Sequence, residues 1–191
     1  MKLNGLKFLG ALAVSCSIHG SALADEKVEF PSPFSVLEYN TVSNKYGERA
    51  TFIKMDLRDK GDIGWIQADL IHKTDNAALL GGLDVIRIKE KHVQKYIDAV
   101  DKYLKWQKIA LADGDVFSKE IAQANKVKFL FHSGNQTNHY LVMEFCAIGV
   151  CVEPAYYFDR ANAELLKKFF EDWRDDALDY TTEAEVEEKY K

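Results

Sequence analysis

Cys146 and Cys151 stand with four residues between them, inside the most apolar part of the chain, KVKFLFHSGNQTNHYLVMEFCAIGVCVEPAYYF from Lys126 to Phe158. Two thiols that near each other can form a disulfide, act as a redox pair or hold a soft metal. The spacing separates these chemistries. Dithiol oxidoreductases use two intervening residues, not four. A metal site needs further ligands that no local motif supplies. A structural disulfide needs only that the two Cα atoms become neighbours. If Ile148 and Gly149 make a two-residue turn, Ala147 faces Val150 and Cys146 faces Cys151. Ile148 suits poorly the turns that need positive φ. A four-residue loop is the other way to close the hairpin, and it also leaves the cysteines adjacent.

His132 and His139 bracket the polar stretch Ser133-Gly134-Asn135-Gln136-Thr137-Asn138. If the two strands close directly across it, the imidazoles meet at the mouth of the hairpin, and His72 could join them. Three imidazoles with an open position make a catalytic zinc site; this makes His132 and His139 candidate metal ligands and the basis of a hydrolase. The plainer reading is two partly exposed, hydrogen-bonded histidines at a turn. Ser133 next to His132 is badly placed for nucleophilic catalysis, because adjacent strand residues point to opposite faces. His139 could serve as its base if the loop folds back. No Gly-x-Ser-x-Gly elbow is present, and no acid stands in an obvious place to orient the base. Asp113-Gly114-Asp115 opens like a calcium loop, but Phe117 and Lys119 occupy positions that need oxygen ligands. A helix stop explains that stretch better. Asn135-Gln136-Thr137 fits a glycosylation acceptor only if the secretory pathway is eukaryotic.

Elements with short turns must hold these residues. Alternation in residues 49–57 (Ile53, Met55 and Leu57 against Lys54 and Asp56) and in residues 64–72 predicts two half-buried strands joined by the turn Asp59-Lys60-Gly61-Asp62. Residues 35–42 read as a strand or a short helix, and residues 83–88 as a short strand. The stripe Val93, Tyr96, Ile97, Val100, Tyr103, Leu104 and Leu111 predicts a helix over 90–112, with Gly114 as its stop. Residues 116–121 lead into the main hairpin, where Val127, Phe129 and Phe131 form one face. Residues 139–146 are apolar on both faces, as a central strand is. Asp159 caps a last helix running to about residue 178, striped by Leu165, Leu166, Phe169, Phe170, Trp173 and Ala177. If Tyr156 and Phe158 face the core, Tyr157 faces solvent and offers a contact surface. The expected fold class is α+β, an antiparallel sheet packed against two amphipathic helices.

The first 24 residues read as a secretory signal peptide. Lys2 and Lys7 precede an apolar run that ends in Ala22-Leu23-Ala24. That run is too short for a bilayer span, which needs roughly 20 residues, and no later segment is long and apolar enough. A lipoprotein anchored through Cys16 is the competing reading. Cleavage after Ala24 leaves 167 residues, expected as one α+β domain over 25–180 and an acidic tail over 181–191. With the two lysines gone, 23 bases face 30 acids, a net charge of −7. Residues 171–191 contribute nine acids and three bases. An acidic balance argues against nucleic acid as partner. It fits a basic protein partner, though acidic surface also serves solubility. The expectation is an exported, periplasmic or secreted binding protein: an inhibitor, immunity or accessory factor, without cofactor and without catalysis. The alternative is a metal-dependent or other hydrolase built on His132 and His139.

Overall fold

The computed structural model describes residues 27–40, 45–56, 62–68, 86–147, 150–180 and 183–191. The expected leader, Cys16 and His72 lie outside these residues. The strands are β1 (Lys27–Asn40), β2 (Lys45–Asp56), β3 (Asp62–Ala68), β4 (Ile86–Lys89), β5 (Ser118–Ala124), β6 (Val127–Ser133), β7 (His139–Ala147) and β8 (Val150–Phe158). The helices are α1 (Val93–Asp113), α2 (Arg160–Arg174) and α3 (Glu183–Lys189). The α+β expectation holds, with α3 as a short third helix.

The strands form one antiparallel sheet in the order β4-β3-β2-β1-β8-β7-β6-β5. Each half is four consecutive strands followed by a helix, and the halves meet where β1 pairs with β8 at Leu37 and Tyr157. This repeat of topology has no counterpart in the sequence, where no internal repeat is visible. Prolines mark irregularities on both sides of the seam. The β1–β2 register shifts between Pro31 and Ser35, around Pro33, and the β7–β8 register shifts between Met143 and Phe145, opposite the segment holding Pro154. A residue without an N–H breaks a ladder, so a central strand tolerates it at a bulge. In β1 the bulge is held by Thr51, whose hydroxyl donates to the Phe34 carbonyl at 3.0 Å and also meets the Ser32 hydroxyl. Where the register resumes at Ser35, opposite Ala50, the Ser35 N–H donates to Asn162 Oδ1 on α2 at 2.7 Å.

Helices α1 and α2 pack on one face of the sheet. Tyr96 meets Phe129 and Phe170, Tyr103 meets Phe131, and Phe34 meets Phe158 and Phe169. Val127, Phe129, Phe131, Leu141, Met143 and Phe158 are buried beneath them. The helix stripes match expectation except at their borders. Leu111 is 44% exposed and Leu165 is 42% exposed, because the buried lines run through Tyr103, Gln107 and Ala110 on α1 and through Leu166, Phe169, Phe170 and Trp173 on α2. One residue beyond such a line is a 100° turn away from the core. Ala177 falls after α2 has ended and is exposed. Gly114 stops α1 at φ 70°, with its N–H on the Ala110 carbonyl, so Asp113-Gly114-Asp115 is a helix stop. Among the described residues no helix is long and apolar enough to cross a membrane.

Candidate functional site

Strand register decides what the candidate residues can do together. In the β6–β7 hairpin Ser133 pairs with His139, and His132 pairs with Tyr140. Directly opposed residues share a face, so His139 lies with Ser133 on the helix side and His132 lies with Tyr140 on the other. The structure does not bring the two imidazoles into one site. Each has its own serine instead: Ser133 Oγ is 2.8 Å from His139 Nδ1, and Ser118 Oγ is 2.7 Å from His132 Nδ1.

The Ser133–His139 pair is interior. His139 is 2% exposed and stacks on Phe131 at 5.4 Å. Burial holds its pKa below the ordinary value, with the Gln136 backbone opposing the shift; loss of solvation penalises the charged ring. The imidazole is therefore neutral near pH 7. Its Nε2 is buried and has no partner among the described residues. The Tyr103 hydroxyl donates to the His139 carbonyl at 2.8 Å, which fixes the strand end against α1. The loop between the strands closes on itself. Gly134 N–H donates to the Asn138 carbonyl, and Asn135 Oδ1 accepts from the N–H groups of Thr137 and Asn138. Asn135 is a turn-forming side chain here, as short polar amides often are.

Beside this hairpin end lies a cleft of about 350 Å³, lined among others by Gln107, Asn138, His139, Asp159, Arg160 and Glu164. Asp159 is the N-cap of α2: its Oδ1 accepts from the N–H of Asn162 at 2.9 Å and from the Asn162 amide at 3.0 Å. Arg160 donates to Gln107 Oε1 at 2.9 Å and pairs with Glu164 at 2.9 Å. The expected cap at Asp159 is thus also a wall of the cleft, which sequence reasoning did not foresee.

The opposite face of the sheet carries neither α1 nor α2, and the described side chains of α3 are all exposed. Register aligns Leu130, Val142, Tyr157, Leu37 and Glu48 in one band across five strands. Three tyrosines gather on it. Tyr46 lies 4.9 Å from Tyr140 and 5.7 Å from Tyr157, ring centre to ring centre, and His132 is 5.9 Å from Tyr157. Tyr156 and Phe158 are buried on the helix side and Tyr157 is half-buried on this one, as alternation predicted. Tyr46 was not singled out from sequence; no local pattern there announces that β2 carries it beside β7 and β8.

Cys146 and Cys151 are register partners and sit at disulfide distance, S–S 2.01 Å. Ala147 pairs with Val150, so the strands close across Ile148 and Gly149, which themselves lie outside the described residues. Glu144 places a carboxylate within 4.8 Å of both sulfurs, and its Oε2 is 2.8 Å from Lys128 Nζ across the β6–β7 pair. With both sulfurs bonded to each other, that trio offers a metal one carboxylate only.

The chain matches no family model, and no curated protein matches it. A solved structure described as Trypanosoma bruciei MRP1/MRP2 overlays with a TM-score of 0.31 at 14% identity, covering 75% of this chain and 84% of that one. An overlay of that quality carries no argument about this protein.

Proposed function

We propose that this is an exported, non-catalytic binding protein of the cell envelope, built as one α+β unit over residues 25–180 with an acidic tail over 181–191. Its partner is a basic protein, and the contact is the helix-free sheet face around Tyr46, Tyr140, Tyr157 and His132. The observation that carries this reading is the aromatic cluster on that face. Half-buried tyrosines still present stiff, amphipathic area at low entropic cost, and interfaces are rich in them. The sign of the partner follows from the charge of −7 left once the leader is removed and from long-range attraction between unlike surfaces.

The test is capture of a saturable partner by protein recovered from the periplasm, compared with a Tyr140→Ser/Tyr157→Ser variant. The reading requires that the variant keep its fold, lose the partner at least tenfold, and that wild-type capture weaken as salt rises. A partner held equally by both proteins refutes the assigned face. Intact mass of the recovered protein tests export: a chain starting at Asp25 and two hydrogens lighter than its sequence supports it, an uncleaved leader refutes it, and a lipid on Cys16 keeps export but replaces cleavage after Ala24 with the anchored form.

A further inference from the structure

We propose that the outer edge of β5 binds an extended peptide as an added strand, one with an acidic residue two positions before an aromatic residue. β5 ends the sheet, and among the described residues no strand pairs with its outer side. The register says which of its backbone groups are on offer. The Phe117 carbonyl accepts from the Ser133 N–H at 3.0 Å, and Ser118 and Lys119 stand opposite His132 and Phe131. Successive residues of a strand turn their N–H and C=O to opposite sides. Phe117 and Lys119 therefore bond towards β6, while Ser118 and Glu120 direct their backbone groups outward. Beyond Glu120 the register shifts, and Lys102 Nζ donates to the Ile121 carbonyl at 3.0 Å. The free edge is short, and a strand laid on it ends there. Main-chain bonds to such an edge supply affinity, and the side-chain sites beside it supply selection.

Two side-chain sites stand beside this edge. At the start of β5 a cleft of about 260 Å³ opens against Trp106, Ile109 and Phe117, with room for one aromatic ring. Its surroundings are apolar, with Ile109 and Val116 both exposed. Next to it Lys102 and Lys119 hold their ammonium groups 4.8 and 5.6 Å from the Trp106 ring centre. Asp115 is the one carboxylate among the described residues that line the cleft. Two cations against one anion leave positive charge beside an apolar hole, in a chain that is acidic as a whole. Glu120 is exposed on the opposite face of the strand. A segment running antiparallel to β5 therefore fits with an aromatic residue opposite Phe117, an acid opposite Lys119 and a base opposite Glu120. On the outer side Phe117 and Lys119 are non-hydrogen-bonded positions, where opposed side chains come closest. A second copy of this chain fits less well. The symmetric register that uses both Ser118 and Glu120 sets Lys119 against its own counterpart, and like charges directly opposed are destabilising.

The experiment is an NMR titration of the purified protein with the peptide acetyl-Thr-Thr-Lys-Glu-Thr-Phe-Thr-amide. Two control peptides accompany it, one with Lys and Glu exchanged and one with Ser in place of Phe. The readouts are the backbone signals and amide exchange rates of Ser118, Lys119 and Glu120. The expected result is saturable binding of the first peptide, with exchange slowed at Ser118 and Glu120 and unchanged at Lys119, whose N–H already faces β6. Exchanging the charges or removing the ring should weaken binding at least fivefold. A Lys119→Glu/Glu120→Lys variant changes two exposed side chains and should prefer the charge-exchanged peptide to the original. No saturation up to about 5 mM, a loss below fivefold with either control, or an unchanged preference in the variant overturns the assignment. So does a dimer in the peptide-free protein with Ser118 and Glu120 already protected, which would give the edge to a second copy. Partner capture through Tyr140 and Tyr157 is measured separately, so either proposal can fail without the other.

Discussion

Replacing Cys146 and Cys151 with serine opens the ring that the disulfide closes, and its size fixes how much stability the bridge supplies. The residues are five positions apart in sequence and directly opposed in the β7–β8 register, so the cross-link closes a loop of about six residues. Loop-closure entropy for that ring is worth about 2 kcal/mol at 25 °C. The ladder pairs Ala147 with Val150 and Phe145 with Val152 on either side, so the native hairpin keeps its register after the bond is cut. The loss is therefore confined to the unfolded state. For a chain of this length about 2 kcal/mol lowers Tm by roughly 4–8 °C. Serine adds a second cost because Cys146 is buried and a hydroxyl there must find a partner. Reduction of the unmutated protein isolates the entropic part. The assay is thermal unfolding with and without a non-denaturing reductant, with free thiols counted in each sample. A Tm unchanged while both thiols are titrated as free would refute the reasoning. So would a fall well beyond 8 °C on reduction alone, which would mean that the bond holds the β7–β8 pairing itself in place.

Three further outcomes follow from the structure. Tyr156→Ala should cost about 3–5 kcal/mol in denaturant unfolding, because Tyr156 is 5% exposed in the core. Tyr157→Ala on the other face should cost less than half as much, and equal losses would reverse the facing of β8. Asp159→Ala should cost about 1 kcal/mol by removing the cap of α2, while Asp159→Asn stays within a few tenths; equal effects of the two would show that charge, not capping, is what matters there. Burial lowers the pKa of His139, so the unfolded chain takes its proton first, near pH 6.5. That contribution to stability is complete above pH 6.5 and is lost as pH falls from there through the native value. Denaturant unfolding of wild type and His139→Gln across pH 4–8 should show a shallower acid slope in the variant, and parallel slopes would exclude His139 as a source of the pH dependence.

Much of the scaffold was legible because local chemistry and global packing agree. Val93, Tyr96, Ile97, Val100 and Tyr103 announce α1, and Gly114 announces its end. Asp159 announces the start of α2, and its side chain does take the N–H of Asn162. The cysteine pairing followed from counting residues around a two-residue turn. What could not be read was whatever depends on contacts between distant segments. Strand order puts β1 beside β8, and nothing in either strand names the other. Tyr46 joins Tyr140 and Tyr157 only through that order. The cleft needs Gln107 from α1 beside Arg160 from α2, residues 53 positions apart. The two bulges had a local cause in Pro33 and Pro154, but a proline says that a ladder breaks, not how the register resumes.

The separation of the two histidines is the point at which sequence and structure part most instructively. Opposed residues in the β6–β7 hairpin have position numbers that sum to 272, as for Ser133 with His139 and His132 with Tyr140. His132 and His139 sum to one less, so they are diagonal neighbours on opposite faces. Half of this was available beforehand. Val127, Phe129 and Phe131 claim the core face of β6, which sends His132 the other way. The other half was not, because β7 is apolar on both faces: Leu141 and Met143 lie on one, Tyr140 and Val142 on the other. A strand of that kind carries no period-two signal, so its alternation cannot place His139. Sliding the register by one residue would align the histidines, but it would also turn Leu141 and Met143, both fully buried, away from α1 and α2. Burial of those two side chains contributes several kcal/mol, more than any imidazole pair at a turn would return. The hydrophobic core therefore forbids the composite histidine site, and leaves two separate Ser–His contacts on either side of one strand pair.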